Sequence, residues 1–268
     1  MISPLENINI KGLNVFDHGD KSARCIIFVH AFPMNNRMWL EQVRFFEKDY
    51  RVITYDNRGF GKSESNGNYT MDSHADDAIE ILEHLKIDKA VICGLSMGGY
   101  ITLRALEKYP DKFEAALLCD TRSEADTNEA KVNRARQIKQ IKSGDRKTFV
   151  SSFVENGISP ASLKNPSIVN EINAIISEQS DFSICTALMT MAARADKTAF
   201  LDKLDIPVLI IVGEEDKLTP PENSISMNRH IKGSKLVTIP GAGHFTNIET
   251  PGLFNSAISE FLKEALIQ

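Results

Sequence analysis

Short apolar runs alternate along the chain with longer amphipathic segments. Runs such as Cys-Ile-Ile-Phe-Val at 25–29 are apolar at every position, which is typical of strands that helices cover on both faces. The pattern predicts eight strands, of which the first two are more polar and are expected to form an antiparallel edge. The predicted strands span residues 7–10, 13–17, 25–30, 51–55, 89–93, 115–119, 207–212 and 235–239.

Helical periodicity separates the later strands. Between residues 72 and 86, apolar side chains recur at the spacing of one helix face. The final helix is predicted to begin at Thr250-Pro251, a capping residue followed by proline at the first helical position. Strands and helices together predict an α/β fold with a mostly parallel central sheet flanked by helices. The apolar stripes of the two helices are formed by Ala75, Ala78, Ile79, Leu82 and Leu85, and by Phe254, Ala257, Ile258, Phe261 and Leu262.

Residues 121–204 contain several helical segments and no strand pattern. We interpret this stretch as an all-helical cap inserted between the sixth and seventh strands. The chain then divides into a first core segment of residues 1–120, the cap, and a second core segment of residues 205–268. The helical segments of the cap are predicted at residues 124–142, 146–154, 167–178 and 182–195.

A cap at this place would cover a site at the strand ends, line its pocket and shield it from water. Several large apolar side chains of the cap are candidates for lining that pocket, although each could instead pack the interior of the cap. The candidates are Phe149, Phe153, Ile184, Met189 and Met191.

Composition and charge exclude several classes of protein. With 268 residues, of which 42% are hydrophobic, the chain is long enough for one sizeable core. A net charge of −5, without a run of lysine and arginine, argues against binding to nucleic acid. No apolar run approaches the roughly 18 residues that span a bilayer, and residues 1–10 lack the apolar core of a secretion signal. The sequence therefore predicts a cytoplasmic monomer or homodimer that binds neither nucleic acid nor membrane.

The candidate metal-binding side chains show no ligand pattern. Cys25, Cys93, Cys119 and Cys185 lack metal-type spacing, and three of them fall within predicted central strands. We interpret all four as small, buried apolar residues. No cluster of histidine, aspartate and glutamate has ligand spacing, and no nucleotide or flavin motif is found. Neither a metal nor a cofactor is predicted.

Residues 94–99, Gly-Leu-Ser-Met-Gly-Gly, lie between a predicted strand and a predicted helix. A G-x-S-x-G motif between a strand and a helix is the context of a nucleophile elbow. Side chains at positions 94 and 98 would collide with the flanking strand or helix, and the strained turn lifts the Ser96 hydroxyl clear of the sheet. Ser96 is therefore a candidate nucleophile, with an ordinary glycine turn as the alternative.

A serine hydroxyl needs a base to accept its proton, and the base needs an acid to orient it. In a fold of this kind the acid follows the serine in the chain, and the histidine comes last. Asp216 follows the seventh predicted strand, and His244 follows the eighth within a glycine turn. Catalytic groups in open α/β sheets gather at the carboxyl ends of strands, so both are candidates. Other candidates for the acid are Glu214, Glu215 and Asp120.

Five stretches of the chain carry a resemblance to a known family. They are residues 30–33, 55–63, 94–99, 213–220 and 241–244. As a set they are similar to the α/β-hydrolase fold family, and most similar to its small capped esterases and the 3-oxoadipate enol-lactonase-like group. The resemblance covers most of the chain, and it indicates the fold and the triad far better than the substrate.

Acyl transfer places negative charge on the carbonyl oxygen, which fixed N–H donors stabilise. One donor is expected to be the backbone N–H of Met97, the residue after the nucleophile. The resemblance implies that the second is the N–H of Phe32, whose ring is also expected to line the pocket. Ala31 stands where most relatives have glycine, so its methyl group is expected to narrow the site. His30 is interpreted as a brace for this loop.

The leading hypothesis is a serine hydrolase that cleaves a small carboxylic ester or lactone. Ser96, His244 and Asp216 would form the triad, and the reaction would pass through an acyl-enzyme. One alternative keeps the triad in a carbon–carbon bond hydrolase, a perhydrolase or an acyltransferase. Another is a ligand-binding signalling protein on the same scaffold. The expected partner is a small-molecule ester or lactone.

Overall fold

The structure, a computed structural model, describes residues 7–65, 67 and 69–266. Residues 1–6, 267 and 268 of the predicted core segments, and most of the stretch inspected for a secretion signal, lie outside this part of the chain. The strands are β1 (Ile8–Ile10), β2 (Leu13–His18), β3 (Cys25–Val29), β4 (Arg51–Tyr55), β5 (Ala90–Leu95), β6 (Phe113–Cys119), β7 (Val208–Gly213) and β8 (Lys235–Ile239).

Within the described residues, these eight strands form one sheet in the order β1-β2-β4-β3-β5-β6-β7-β8. β1 pairs antiparallel with β2, and β2 pairs antiparallel with β4. Every other neighbouring pair is parallel. The predicted antiparallel edge and mostly parallel centre are therefore confirmed.

Helices flank the sheet and fill the interval between β6 and β7. They are α1 (Leu40–Phe46), α2 (Met71–His84), α3 (Met97–Lys108), α4 (Asn128–Lys142), α5 (Arg146–Gly157), α6 (Pro160–Leu163), α7 (Pro166–Ser177), α8 (Asp181–Ala192), α9 (Thr198–Leu201), α10 (Pro221–His230), α11 (Thr246–Glu249) and α12 (Pro251–Ala265). Short 3-10 helices at Asn36–Trp39 and Pro110–Lys112 complete the described elements.

Both faces of the sheet are buried, which explains the continuous apolar runs. In β3, Ile27 and Val29 belong to the core that includes the apolar stripes of α2 and α3. Ile26 and Phe28 point to the opposite face and pack with the stripes of α1 and α12. Because successive side chains of a strand alternate between faces, every position of a doubly covered strand must be apolar.

The helical interval α4–α9 lies between β6 and β7 in the chain, and its described residues include no strand. The first helix begins at Asn128 rather than at the predicted residue 124. The reason is that Thr127 is the N-cap residue of this helix. Its side chain accepts a hydrogen bond from the N–H of Ala130 at 3.2 Å, which fixes the start of the helix. The short helices α6 and α9 were not predicted.

Thr250 precedes the last helix, as predicted, but does not cap it with its side chain. Its hydroxyl instead donates to the carbonyl of Thr246 at 3.1 Å, because the preceding helix α11 ends directly before it. Pro251 occupies the first helical position as expected.

All four cysteines are buried and free of disulfides within the described chain. The Sγ atoms of Cys93 and Cys119, on neighbouring strands, are 3.9 Å apart. Among the same residues, no helix combines the length and the apolar character needed to cross a bilayer.

The junction of β5 and α3 is packed so tightly that two positions exclude a side chain. A Cβ atom added at Gly94 would lie 2.2 Å from the carbonyl oxygen of Gly98, and one added at Gly98 would lie 2.1 Å from that of Val29. The obstacles are backbone atoms, which cannot rotate away. This close approach places the start of α3 directly against the ends of β3 and β5.

We expect Gly98→Ala to lower the free energy of unfolding by about 1–3 kcal/mol, the usual cost of overpacking a filled interior. Gly252→Ala is the matched control, because a Cβ atom there meets nothing within 4 Å and alanine favours the helix by about 1 kcal/mol. Urea denaturation of both variants measures the difference. Equal stability of the two would contradict the packing argument.

Candidate active site

Ser96 lies at the turn between β5 and α3 in a strained backbone conformation, with φ of 57° and ψ of −113°. Backbone strain of this kind costs roughly 1–3 kcal/mol and persists only when the surroundings hold it. Here the N–H of Ser96 donates to the carbonyl of Cys119 at 2.9 Å. The hydroxyl of Thr121 donates to the carbonyl of Ser96 at 2.8 Å. The neighbouring strand β6 and the loop after it therefore hold the turn in place.

The structure brings Ser96, His244 and Asp216 into one hydrogen-bonded chain. His244 Nε2 lies 2.8 Å from Ser96 Oγ, and His244 Nδ1 lies 2.8 Å from Asp216 Oδ2. The three residues come from the loops after β5, β7 and β8, and all are at most 9% exposed. This geometry allows the imidazole to accept the serine proton while the carboxylate orients the ring.

Asp216 is held ionised by its surroundings. Its Oδ1 accepts the backbone N–H groups of Leu218 at 2.8 Å and Thr219 at 3.0 Å, and its Oδ2 accepts the Thr219 hydroxyl at 2.7 Å. Burial alone would raise the pKa of Asp216. The adjacent His244 and the hydrogen bonds from His244 and Thr219 outweigh burial and hold the pKa of this carboxyl below its usual range. An ionised acid is what a histidine base requires as its partner.

The other candidates for the acid make different contacts. Asp120 accepts the N–H of Gly213 at 2.9 Å and the hydroxyl of Thr246 at 2.5 Å, and so links the end of β6 to β7 and α11. Burial, followed by the negative charge of Asp216, raises the pKa of Asp120 well above its usual range. Asp120 is therefore a buried structural carboxyl, and the negative charge of Asp216 beside it disfavours its ionisation.

Glu214 also points away from the histidine. Its side chain is exposed, and its Oε2 accepts the N–H of Gly241 at 3.4 Å. Glu215 is half-buried, and no hydrogen bond joins its carboxylate to another described residue. Among the described carboxylates, only Asp216 is hydrogen-bonded to His244.

The two predicted oxyanion donors, the backbone N–H groups of Phe32 and Met97, have no hydrogen-bond acceptor among the described residues. Met97 is the first residue of α3, and the N–H groups of a first helical turn have no partner within the helix. Both residues adjoin the Ser96 turn, and Phe32 lines the same cavity as Ser96.

His30 braces the loop that carries Phe32. Its Nδ1 lies 2.8 Å from the carbonyl oxygen of Ala31, and its Nε2 accepts the N–H of Asn57 at 2.8 Å. Burial lowers the pKa of His30 to about 4, so the ring is neutral at pH 7. Ala31 is fully buried and is not among the residues that line the cavity.

A cavity of about 200 Å³ opens onto Ser96 and His244. Phe32, Phe153 and Met191 line it as predicted, together with other residues of the strand-end loops and of the helices between β6 and β7. The additional apolar and aromatic lining residues are Tyr100, Leu188 and Leu218.

Three residues predicted to line the pocket lie elsewhere. Phe149 is buried behind the wall, with its ring centroid 6.1 Å from that of Phe153. Ile184 is fully buried in the core. Met189 is 52% exposed, because on α8 it lies about 100° around the helix from Leu188, which faces the cavity. Size and hydrophobicity do not decide which face of a helix meets a cavity.

One wall of the cavity is polar, and the sequence prediction missed it. The prediction considered only large apolar residues of the helical interval. The position of Arg122, just beyond β6 where polar groups gather at the sheet edge, is the signal that would have found it. The polar lining residues are Arg122, Asp126, Asn133, Arg134 and Gln137.

Glu249 is a second residue that the sequence prediction missed. It ends α11, five residues after His244, and its carboxylate accepts backbone N–H groups on both sides of the histidine. Glu249 Oε1 accepts from Gly243 at 3.0 Å and from Phe245 at 3.1 Å. A single glutamate at the end of a short helix carries no motif that reveals such a role.

The same carboxylate ties the histidine loop to the helical interval. Glu249 Oε2 accepts the N–H of Ser159 at 2.9 Å, and the N–H of His244 donates to the carbonyl of Gly157 at 2.7 Å. Gly157 ends α5 and Ser159 precedes α6. The position of the candidate base therefore depends on the helical interval as well as on the sheet.

Within residues 7–65, 67 and 69–266, no group of three or more histidine, cysteine, aspartate and glutamate side chains is placed to hold a metal ion.

Comparison with known proteins places the chain in a family. A family model of the alpha/beta hydrolase fold matches residues 24–162 and 149–251 of the chain. The protein 3-oxoadipate enol-lactonase 2 of Acinetobacter baylyi is 30% identical over 261 residues, which cover 94% of this chain and 93% of that protein.

Two solved structures have the same architecture. A thermophilic esterase from Thermogutta terrifontis, solved with malate bound, is 33% identical and matches with a TM-score of 0.90 over 97% of both chains. The enol-lactonase from Burkholderia xenovorans LB400 is 24% identical, with a TM-score of 0.88 over 96% of this chain and 100% of that one. At that identity, the second structure supports the fold alone.

We expect Glu249→Gln to lower the free energy of unfolding by about 1–3 kcal/mol, because an amide nitrogen cannot accept the backbone N–H groups that face it. Glu260→Gln, at an exposed position of α12, is the control and should change stability little. Urea denaturation of both variants gives the two values. A Glu249→Gln protein as stable as the control would show that these hydrogen bonds do not hold the loop.

Proposed function

The chain belongs to the α/β-hydrolase fold family and its enol-lactonase-like group, and from this premise we propose that it is a serine hydrolase of small carboxylic esters or lactones. That it is a hydrolase follows from its relatives; the triad and the acyl-enzyme are our proposal. The observation that carries the proposal is the continuous hydrogen-bonded chain from Ser96 through His244 to Asp216 at the floor of a cavity.

In the first half of the reaction, Ser96 Oγ attacks the substrate carbonyl carbon while His244 Nε2 takes the hydroxyl proton. The carbonyl oxygen becomes an oxyanion that faces the free N–H groups of Phe32 and Met97. The ionised Asp216 stabilises the imidazolium that forms. His244 then gives the proton to the leaving oxygen, the bond from the carbonyl carbon to that oxygen breaks, and the acyl group remains on Ser96.

In the second half, water takes the place of the leaving alcohol. His244 accepts a proton from the water, and the oxygen attacks the acyl carbon. The tetrahedral intermediate collapses, the bond to Ser96 Oγ breaks, and His244 returns the proton to the serine. The carboxylic acid leaves the cavity. A lactone gives a single product, a hydroxy acid, because its acyl group and its alcohol oxygen belong to the same molecule.

The size of the cavity limits the substrate. At about 200 Å³, it is smaller than the roughly 300–1,000 Å³ of sites that hold drug-sized ligands. The helices between β6 and β7 line one side of it, so the space beside Ser96 favours a short acyl chain. We therefore expect short-chain esters to be the better substrates.

Hydrolysis of p-nitrophenyl acetate, butyrate and octanoate tests this function. We expect kcat/KM to fall from the short to the long esters, and Ser96→Ala to lower kcat by roughly 10⁴- to 10⁶-fold. Release of p-nitrophenol is followed at constant pH, and circular dichroism checks that the variant is folded.

A folded Ser96→Ala protein with near-normal turnover would overturn the mechanism. A folded wild-type protein that hydrolyses none of the three esters would favour a specialised carbon–carbon bond hydrolase or a ligand-binding protein.

The identity of the acid is tested by two substitutions. Asp216→Asn should lower kcat by about 10⁴-fold, because the amide cannot hold the imidazole in the required tautomer. Asp120→Asn should lower kcat by less than about tenfold, because Asp120 accepts hydrogen bonds from Gly213 and Thr246 and makes none to His244. Steady-state kinetics with p-nitrophenyl acetate compares them, and the reverse order of effects would assign the acid to Asp120.

A further inference from the structure

A second cavity adjoins the cavity that opens onto Ser96. Its volume is about 180 Å³, and Ser96 and His244 do not line it. Among the described residues, Tyr100 and Arg122 are the two that line both cavities. Their side chains therefore form the partition between the two spaces, which we call the Ser96 cavity and the second cavity.

Helix α3 places Tyr100 in this partition. The N–H of Tyr100 donates to the carbonyl of Ser96 at 3.2 Å, so Tyr100 follows the candidate nucleophile by one helical turn and lies on the same face of the helix. Its side chain is buried, and no hydrogen bond joins its hydroxyl to another described residue. The bulk of the ring is therefore what separates the cavities.

Arg194, which lines only the second cavity, fixes the ring of Tyr100. The guanidinium carbon of Arg194 lies 4.1 Å from the ring centroid, a distance at which a cation is attracted to an aromatic face. Arg194 is itself held in place, because it donates to Asp126 Oδ1 at 2.6 Å and to the carbonyl of Glu124 at 2.8 Å. The ring of Tyr100 is thus a fixed wall of the Ser96 cavity.

The second cavity can accept an alkyl chain. Two of its charged side chains are paired with carboxylates, since Arg104 Nε lies 2.6 Å from Asp72 Oδ1 and Lys197 Nζ lies 2.6 Å from Glu107 Oε2. An alkyl chain beside them would leave neither of these charges without its partner. Apolar side chains also line this cavity, namely Met71, Leu103 and Ala195.

We propose that Tyr100 determines specificity by limiting the length of the acyl chain that fits beside Ser96. This inference rests on the proposed function and deepens it. The acyl group stays on Ser96 while the alcohol leaves and water enters, so the acyl chain occupies the buried side of the cavity. Tyr100 closes that side. Without its ring, the two cavities would join, and a longer chain could extend into the second one.

The test compares p-nitrophenyl octanoate with p-nitrophenyl acetate, and the measured quantity is the ratio of their kcat/KM values. The variants are Tyr100→Ala, Tyr100→Leu and Tyr100→Phe. The control is Met71→Ala, which enlarges the second cavity and leaves the partition in place. Circular dichroism and thermal denaturation check that each variant is folded.

We expect Tyr100→Ala to raise the octanoate-to-acetate ratio by about 10- to 100-fold, because each further methylene group in an apolar pocket is worth at least tenfold. Tyr100→Leu should give a smaller rise, since its side chain opens the partition only in part. Tyr100→Phe keeps the ring and should keep the wild-type ratio. Met71→Ala should also keep that ratio.

Three outcomes would overturn the inference. If folded Tyr100→Ala and Tyr100→Leu both keep the wild-type ratio, the ring does not limit the chain. If Tyr100→Phe raises the ratio as much as Tyr100→Ala, the hydroxyl rather than the ring is responsible. If Met71→Ala gives the same rise, looser packing rather than the partition explains the change.

A binding measurement separates this inference from the proposed function. In the Ser96→Ala background, octanoate should raise the melting temperature only when Tyr100→Ala is added, whereas butyrate should act equally on both proteins. If the wild type hydrolyses no ester but octanoate shows this dependence on Tyr100, the partition stands and the proposed function fails. If octanoate gives no shift that depends on Tyr100, the partition is overturned whatever the activity.

Discussion

The close approach of three backbone segments at the Ser96 turn is the constraint on which the rest of the site depends. Helix α3 begins so near the ends of β3 and β5 that Gly94 and Gly98 have no space for a Cβ atom. The serine between them has a positive φ. Its N–H donates to the carbonyl of Cys119, and its carbonyl accepts from the hydroxyl of Thr121, and these two bonds hold it there. The backbone strain is confined to the Ser96 turn, and the central parallel sheet holds that turn in place. Its result is a hydroxyl raised above the sheet edge, where loops from other strands reach it.

The histidine loop is fixed by a different set of interactions. A buried carboxylate, Glu249, accepts backbone N–H groups on both sides of His244 and one from Ser159 in the helical interval. Asp216 is oriented in turn by Thr219 and by backbone N–H groups. Each group of the proposed triad is thus positioned by neighbours outside it. The helical interval also lines the cavity and holds the loop of the candidate base.

The cavity joins an apolar side to a positively charged one. Phe32 and Phe153 supply part of the apolar surface, whereas Arg122 supplies a guanidinium that no described carboxylate neutralises. Arg122 is half-buried, and its Nη2 donates to the carbonyl of Leu218 at 2.6 Å. It therefore also ties the loop after β6 to the loop that carries Asp216.

The sequence by itself determined the strands, the strand–turn–helix at Ser96 and the order of serine, acid and histidine, because each depends on local periodicity or on a short motif. The sequence did not distinguish Asp216 from Asp120 as the candidate acid, because both follow strands. Only the packed structure decided that Asp216 contacts His244, whereas Asp120 links β6 to β7. It placed Met189 in the pocket because the residue is large and apolar, but the rotation of α8 against the core turned it to solvent. The structure alone brought Arg122 and Glu249 to the site, because no local pattern records which distant segments a side chain will meet.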